Sequence, residues 1–270
     1  LELRIGARVT GFKQAGSQVC VILANGERLA AAALVGADGV HSAVRKALVD
    51  DGDPLPSGAM IYRAIIPADD MPREARHPYP LMWVGPGTHI IYYPVRDWKV
   101  FNFGATVVTG ATSLDEQSDA PPSEALPLFA HHCAEPLSVM RVPKFFKRYL
   151  IRHREPVAAW SEGVVTLLGD AAHPMVQYIA QGAAMALEDA VCLAVCVEEC
   201  EGDFARAFRR YQDIRVLRAS RVQMLSLMMD RIYHAGGVGR LVRNDIFAGR
   251  SQEEHYNRLS WLYTKPPYVR

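Results

Sequence analysis

Two short apolar runs, each ending in glycine and aspartate, constrain the fold of this chain more than any other feature. The first covers residues 34–39 and leads into a helical stretch from Ser42. The second covers residues 164–170, and a helix is predicted from Gly182 to Glu199. A buried strand that passes through a glycine turn into a helix is typical of α/β domains, which bind ligands at the carboxyl ends of their strands. The runs therefore predict one α/β domain formed by two distant segments.

The residues between the two runs follow the two-residue alternation of β-strands. Candidate strands cover residues 60–66, 81–84, 89–93 and 100–108, separated by turns rich in proline and glycine. Residues 109–122 are predicted to be a loop, and residues 123–132 a short helix. Ahead of the first run, Asn25-Gly26 joins residues 19–23 to a return strand at residues 29–35, which is a strong hairpin signal.

A long helix is predicted after Asp203, which is suited to cap it. Its expected buried stripe recurs at three- and four-residue steps and consists of Phe204, Phe208, Tyr211, Ile214, Leu217, Met224, Met228 and Ile232. Gly236-Gly237 is expected to end it. The predicted fold class is α/β (α+β): a discontinuous ligand-binding domain at residues 1–58 and 156–200, an inserted antiparallel β-sheet domain at 59–155, and C-terminal helices at 201–270.

Composition excludes several classes of function. The 270 residues include 30 Lys and Arg interspersed with 29 Asp and Glu, so the chain lacks the clustered positive charge that nucleic-acid binding requires. No apolar run approaches the length of a membrane-spanning helix. Five cysteines and no charged-then-apolar leader favour a reducing, cytoplasmic setting. The expected partners are small molecules or other subunits.

The first strand end carries groups that could hold a cofactor. Asp38 offers a hydrogen-bond acceptor, Gly39 lets a ligand approach the backbone, and Arg45 is a cation suited to phosphate. Taken alone, the pattern favours an ordinary strand-to-helix turn with a capping Ser42 and an exposed Arg45.

The second strand end offers a complementary set in the segment Gly169 to Pro174. Asp170 is placed to bind a sugar hydroxyl, and the small residues beside it let a planar ring system lie close. A helix beginning at Gly182 and Ala183 would direct the positive end of its dipole toward that ring. The alternative is a strand capped by Asp170 and a helix packed through alanines, which needs no ligand.

In this order, with a β-sheet between them, the two motifs resemble those of the single-component flavoprotein aromatic hydroxylases, the group with the para-hydroxybenzoate hydroxylase fold. The resemblance covers essentially the whole chain. It implies that Gly169-Asp170 contacts the ribityl chain and pyrophosphate of FAD, and that Asp38-Gly39 takes part in binding FAD and NAD(P)H. The discontinuous domain is then the FAD-binding domain and the inserted sheet the substrate-binding domain. The full expected cofactor set is Asp38, Gly39, Arg45, Gly169, Asp170, Pro174, Gly182 and Ala183.

One motif of that family is missing. The family begins with a βαβ unit whose G-x-G-x-x-G turn binds the FAD pyrophosphate, and this sequence contains no such turn in that context. The chain also lacks an initiator Met and opens in strand-like sequence at residues 1–12. We therefore expect an amino-terminally truncated piece of a longer enzyme or a defective product, which alone would bind FAD poorly.

The strand predicted at residues 89–93 supplies candidates for the substrate side. Alternation places His89 and Tyr93 on one face, with Ile91 between them. Flavin-dependent hydroxylation of a phenol is an electrophilic attack on the ring, so a histidine with a near-neutral pKa is a suitable base for the phenolic proton. We expect His89 to be that base, Tyr93 to hydrogen-bond the substrate, and Gln177 to reach the ring's substituents. A solvated histidine at a strand end is the alternative for His89.

A histidine and tyrosine four residues apart, with this glutamine, most resemble the 3-hydroxybenzoate 6-hydroxylases, which form 2,5-dihydroxybenzoate (gentisate). The resemblance implies NAD(P)H and O2 as co-substrates and a small aromatic acid as substrate. Salicylate-type hydroxylases share most of these motifs, so the substrate stays open between the two. A catalytically silent fragment is the remaining alternative.

Other features have plainer explanations. Cys192, Cys196 and Cys200 are expected to be a buried stripe of reduced thiols, and the basic residues within 144–154 a solvated face. The methionines at residues 224–229 fit either helix packing or a subunit contact, which leaves a homodimer open. No metal site is expected, at His131-His132 or elsewhere.

Overall fold

The computed structural model describes residues 2–113, 117–266 and 268. The strands are β1 (Val9–Ala15), β2 (Gln18–Leu23), β3 (Arg28–Ala31), β4 (Leu34–Gly36), β5 (Leu55–Pro67), β6 (Leu81–Gly85), β7 (Thr88–Val95), β8 (Val100–Ala111), β9 (Ser118–Ala120), β10 (Phe146–His153), β11 (Ser161–Glu162) and β12 (Val165–Leu167). The α-helices are α1 (Ala43–Leu48), α2 (Pro122–Ala125), α3 (Ala134–Met140), α4 (Gly182–Glu199), α5 (Phe204–Tyr233), α6 (Gly237–Ala248) and α7 (Gln252–Tyr263). This mixture of helices and antiparallel sheet confirms the predicted fold class.

The chain divides into two compact units. Unit 1 comprises residues 1–55, 152–227 and 260–270, and unit 2 comprises residues 56–151 and 228–259. The domain boundaries inferred from sequence stay a prediction.

Unit 1 contains two small sheets, one antiparallel in the order β1-β2-β3 and one in the order β11-β12-β4. The single return strand predicted at residues 29–35 is wrong. It is two strands, because β3 completes the hairpin sheet opposite β2 while β4 pairs in parallel with β12. The predicted turn at Asn25-Gly26 is present, with Gly26 at φ +85°.

The long helix α5 begins as predicted, with Asp203 accepting a hydrogen bond from the backbone of Arg206 at 3.0 Å. Its buried stripe is wrong beyond the third turn, since Leu217, Met224 and Met228 are 81%, 60% and 58% exposed. The residues buried instead are Ala207, Phe208, Tyr211, Arg215, Ala219, Val222, Gln223 and Ser226. The helix ends at Tyr233, before Gly236, which precedes α6.

Unit 2 is built on one sheet in the order β6-β7-β8-β5-β10-β9. Alternate residues of β5, β7 and β8 form an apolar core with α2 and α3. The predicted loop at residues 109–122 is only partly a loop, because β8 continues to Ala111 and β9 pairs with β10. Residues 114–116 of that loop lie outside the described residues. The helix predicted at residues 123–132 is partly correct, since helix α2 is followed directly by a 3-10 helix at Leu126–Phe129.

The basic run at residues 144–154 is strand β10 and its continuation, and the predicted solvated face is only partly correct. Phe146, Leu150 and Ile151 are buried, while Lys147 is exposed and pairs with Asp119. The three thiols Cys192, Cys196 and Cys200 are buried and free, as predicted. Within the described residues, every helix is too short or too polar to cross a membrane.

Candidate functional site

The structure brings the two glycine-aspartate motifs to the same edge of one sheet. Strands β4 and β12 are parallel neighbours, with Gly36 opposite Leu167, and the backbone N–H of Leu168 donates to the carbonyl of Gly36 at 2.9 Å. Because the carboxyl ends of parallel strands lie at one edge, Asp38 and Asp170 follow adjacent strand ends. This is the position at which α/β domains bind ligands.

Glycine is required at two points of this edge. A Cβ at Gly36 would lie 2.6 Å from Cβ of Val44, so the absent side chain lets α1 pack against the end of β4. Gly169 has φ +60°, and a Cβ there would lie 3.1 Å from Cβ of Ala186 in α4. Both helices that follow the motifs therefore approach the strand ends closely.

Asp38 is exposed, and its carboxylate accepts hydrogen bonds from the hydroxyl of Ser42 and from the backbone N–H of Ala43 at 2.8 Å. Ser42 in turn caps α1 by accepting from the backbone N–H of Arg45 at 2.8 Å. Gly39 adopts φ +78°, which carries the chain from the strand into this cap. The capping function of the motif is thus visible, and its part in cofactor binding stays a prediction.

Arg45 is fully buried, so the exposed arginine of the alternative interpretation is wrong. Its Nη1 donates to the carbonyl oxygens of Ala171 and Ala172 at 3.1 and 2.5 Å, and its Nη2 forms an ion pair with Asp51 at 2.6 Å. The guanidinium also lowers the pKa of Asp51, although burial of that carboxyl opposes the shift. These contacts favour a role in holding the two motifs together over direct phosphate binding.

The second motif presents an open polar surface. Asp170 and Ala183 are exposed and Gly182 is partly exposed, and a Cβ at Gly182 would lie 3.8 Å from Oδ1 of Asp170. No described side chain caps α4, so its first N–H groups have no side-chain acceptor in the usual capping position. Pro174 is buried, and its carbonyl accepts from the side chain of Gln223 at 3.2 Å.

A buried charge network behind the second motif was missed by the sequence analysis. The carboxylate of Asp189 accepts from the backbone N–H of Gly169 at 3.0 Å, from Nε2 of His173 at 2.6 Å and from Nε of Arg215 at 2.6 Å. Burial alone would raise the pKa of Asp189, but His173 and Arg215 outweigh it and lower the pKa. The network fixes the Gly169-Asp170 turn to α4 and α5.

Arg215 continues this network to Glu188, which its Nη1 contacts at 2.6 Å and which Arg218 contacts at 2.7 Å. The sequence did hold a signal for it. Arg215 lies four residues after Tyr211, on the apolar stripe of α5, where an arginine must have buried partners. Nδ1 of His173, on the other side of the ring from Asp189, has no hydrogen-bond partner among the described residues.

In unit 2, His89 and Tyr93 lie on β7 with the predicted alternation. Ile90 and Tyr92 are in the core, whereas Ile91 and Tyr93 are partly exposed. His89 is 4% exposed, so the solvated histidine of the alternative is wrong. Burial, followed by the charge of His234, lowers the pKa of His89 to about 3, so the near-neutral pKa expected from sequence is also wrong.

Gln177 is partly exposed in unit 1, and its backbone carbonyl accepts from the N–H of Ala180 at 3.0 Å. Ala180 has φ +52°, an uncommon value for a residue with a side chain, and ends the turn before α4. The role of Gln177 stays a prediction. Across the described residues, no group of three or more His, Cys, Asp and Glu side chains could hold a metal ion.

The sheet edge with its two glycine-aspartate motifs is that of a flavin-binding domain, and comparison with known proteins assigns the family. Residues 1–224 match the FAD binding domain family, and the chain belongs to it. The cofactor of this family is FAD. The groups present fit it: Asp170 is an acceptor for hydroxyls, and the uncapped N–H groups of α4 are donors for an electron-rich ring edge.

The chain is similar to two curated 3-hydroxybenzoate 6-hydroxylases. It is 39% identical to that of Klebsiella oxytoca, over 97% of this chain and 66% of the relative. It is 40% identical to the 3-hydroxybenzoate 6-hydroxylase 1 of Aquipseudomonas alcaligenes, over 98% of this chain and 67% of the relative. The chain thus spans about two thirds of the length of these relatives. Among solved structures, it is 25% identical to Klebsiella pneumoniae HpxO complexed with FAD and uric acid, with a TM-score of 0.84 over 94% of this chain and 65% of that one.

Proposed function

We propose that this protein is an FAD-dependent monooxygenase that hydroxylates a hydroxybenzoate with NAD(P)H and O2, and that the reaction is 3-hydroxybenzoate to 2,5-dihydroxybenzoate. The observation that carries the proposal is the 39–40% identity, over almost the whole chain, to relatives named for this reaction. The presence of His89 and Tyr93 on one strand supports the aromatic substrate.

Unit 1 would hold the cofactor. Asp170 would accept hydrogen bonds from hydroxyl groups of FAD, and the N–H groups of Gly182 and Ala183 would stabilise negative charge at the ring edge. FAD, when bound and reduced by NAD(P)H, supplies the activation of O2. The buried network around Asp189 would hold the Gly169-Asp170 turn in place for this contact.

Unit 2 would supply the proton chemistry of the substrate. His89 would take the proton of the phenol, which raises the electron density of the ring and favours attack at the position para to the hydroxyl group. Tyr93 would hydrogen-bond the carboxylate or hydroxyl of the substrate. For Gln177 the proposed role is a contact with a substituent of the ring.

The proposal is tested with the protein in excess FAD, whose binding is first checked by its visible absorption spectrum, and which is then offered 3-hydroxybenzoate or salicylate with NADH or NADPH in air. We expect 3-hydroxybenzoate to stimulate both NAD(P)H oxidation and O2 uptake, with 2,5-dihydroxybenzoate identified as the product. The variant His89→Gln should lower kcat by about 10²-fold or more. The matched control is His77→Gln, because His77 pairs with Glu135 at 3.0 Å in the same unit and is outside the proposed site.

Turnover of salicylate with loss of its carboxyl group, and none of 3-hydroxybenzoate, would replace the proposed substrate by the salicylate-type alternative. Bound FAD without turnover of either acid would contradict the monooxygenase itself. Equal effects of the His89 and His77 variants would remove the assignment of His89 as the base.

A further inference from the structure

His89 is the first member of a chain of three hydrogen-bonded side chains in unit 2. Its Nδ1 lies 2.8 Å from Nε2 of His234, and Nδ1 of His234 lies 2.8 Å from Oδ1 of Asp230. The imidazoles of His89 and His234 are joined edge to edge, with ring centroids 5.0 Å apart and planes inclined by 28°. Asp230 is the accessible end of this chain, since its side chain is 28% exposed and that of His234 is 6% exposed, while residue His89 is buried.

The position of His234 is fixed by its backbone. The N–H of Gly87 donates to the carbonyl of His234 at 3.0 Å, and the guanidinium of Arg243 donates to the carbonyl of Tyr233 at 3.1 Å. The first bond holds the end of α5 against the turn that leads into β7, and the second joins it to α6. The alignment of the three side chains is therefore a property of the fold.

The carboxylate of Asp230 determines which nitrogen of each of the two imidazoles carries the proton. Asp230 can only accept, so His234 carries its proton on Nδ1 and presents the lone pair of Nε2. Nδ1 of His89 must then be the donor to that lone pair, which leaves Nε2 of His89 as its basic nitrogen. This is the tautomer that a base for a phenolic proton requires.

A lone buried imidazole would be a weak base, because the apolar surroundings of His89 disfavour its charged form. The hydrogen-bonded side chains offer a second group for the positive charge, the imidazole of His234 beside the carboxylate of Asp230. Among the described residues, the titratable groups near His89 include the imidazole of His132 and the ring of Tyr233. The carboxylate of Asp230 favours the charged form of His89 and so acts as a countercharge for this cluster.

We propose that His234 and Asp230 are positioning residues that form a proton relay from His89 toward solvent, an inference that rests on the proposed function. The proton of the phenol moves to Nε2 of His89 as the Nδ1 proton of His89 moves to Nε2 of His234. The Nδ1 proton of His234 then passes to Asp230 and from there to water. One proton leaves the substrate and one reaches solvent, and no electrons are exchanged.

The relay is tested without turnover, from the ultraviolet absorbance of the phenolate form of 3-hydroxybenzoate bound to the FAD-loaded protein across a pH titration. The variants are His234→Gln and Asp230→Asn, which keep side-chain size and hydrogen bonding but cannot carry the proton. Each should raise the pKa of the bound phenol so that the phenolate-to-phenol ratio falls about tenfold or more near neutrality. Asp230→Glu, which retains a carboxylate, should restore most of the ionisation.

His77→Gln is the matched control, since it removes a histidine from another histidine-carboxylate pair of the same unit. An unchanged phenolate fraction in Asp230→Asn, with 3-hydroxybenzoate still bound, would overturn the relay and leave the proposed function standing. The wild-type protein reports on the proposed function separately. If 3-hydroxybenzoate leaves its flavin spectrum unchanged and is not turned over, the proposed function fails and the relay fails with it.

Discussion

Replacing Arg215 by methionine is the sharpest test of the charge network behind the Gly169-Asp170 turn. The side chain of Arg215 is fully buried, as is that of Asp189, and its nitrogens contact Asp189 and Glu188 at 2.6 Å each. Methionine retains most of the apolar stem but leaves both carboxylates without this partner. Removing one member of a buried ion pair costs about 3–5 kcal/mol of folding free energy, and we expect a loss in that range.

The matched control lies on the same helix. Arg210 pairs with Glu199, but its side chain is 52% exposed. Because exposed ion pairs contribute about 0–1 kcal/mol, Arg210→Met should cost no more than that. The double variant Arg215→Met/Asp189→Asn should lose less stability than the sum of its single variants, since it removes both charges of one pair.

The assay is urea unfolding of the chain followed by circular dichroism, with the free energy taken from the midpoint and the slope. A loss below about 1 kcal/mol for Arg215→Met, equal to that of Arg210→Met, would refute the reasoning. It would mean that the carboxylates are stabilised by water or by His173 and not by the guanidinium.

Three further predictions follow from the structure. The pKa of His89 is about 6.5 in the unfolded chain and about 3 in the fold, so its contribution to stability is complete above the unfolded value and is lost as pH falls. Between about pH 7 and about pH 4.5 that loss is roughly 2–3 kcal/mol of unfolding free energy. In urea unfolding, the free energy of His89→Gln should therefore fall less with pH than that of the wild type, and an equal fall in both proteins would contradict the prediction. Gly36→Ala should cost roughly 1–3 kcal/mol because its Cβ would clash with Val44, whereas Gly11→Ala, with open space around it, should be nearly neutral in the same assay. Burial raises the pKa of Cys192 to about 12, so mass spectrometry after iodoacetamide at mild pH should find Cys133, which is exposed, alkylated and Cys192 unmodified; rapid labelling of Cys192 would refute this.

Patterns of near neighbours in the sequence predicted the elements around the site well. Asn25-Gly26 marked the hairpin, the alternation of residues 89–93 marked β7, and Asp203 marked the start of α5. Each of these signals depends on turn chemistry, strand periodicity or capping, which act over a few residues. The two strand ends that carry glycine and aspartate were predicted from the sequence for the same reason.

Hydrophobic periodicity was misleading where helix α5 buries polar side chains. The three- and four-residue steps in α5 ran through Leu217 and Met224, which are exposed, while Arg215 and Ser226 are buried. A hydrophobic pattern cannot anticipate that carboxylates from α4 compensate a buried arginine. The burial of Arg45 escaped prediction likewise, because its partners Ala171 and Ala172 are more than a hundred residues away in sequence.

The sequence by itself determined which residues turn, cap and alternate, and its motifs determined the family. Only the tertiary structure decided which ionisable groups meet. The Asp189 network and the chain from His89 through His234 to Asp230 join residues far apart in sequence. Whether a histidine is solvated, charged or neutral depends on the surroundings that such long-range contacts create, and no local pattern encodes them.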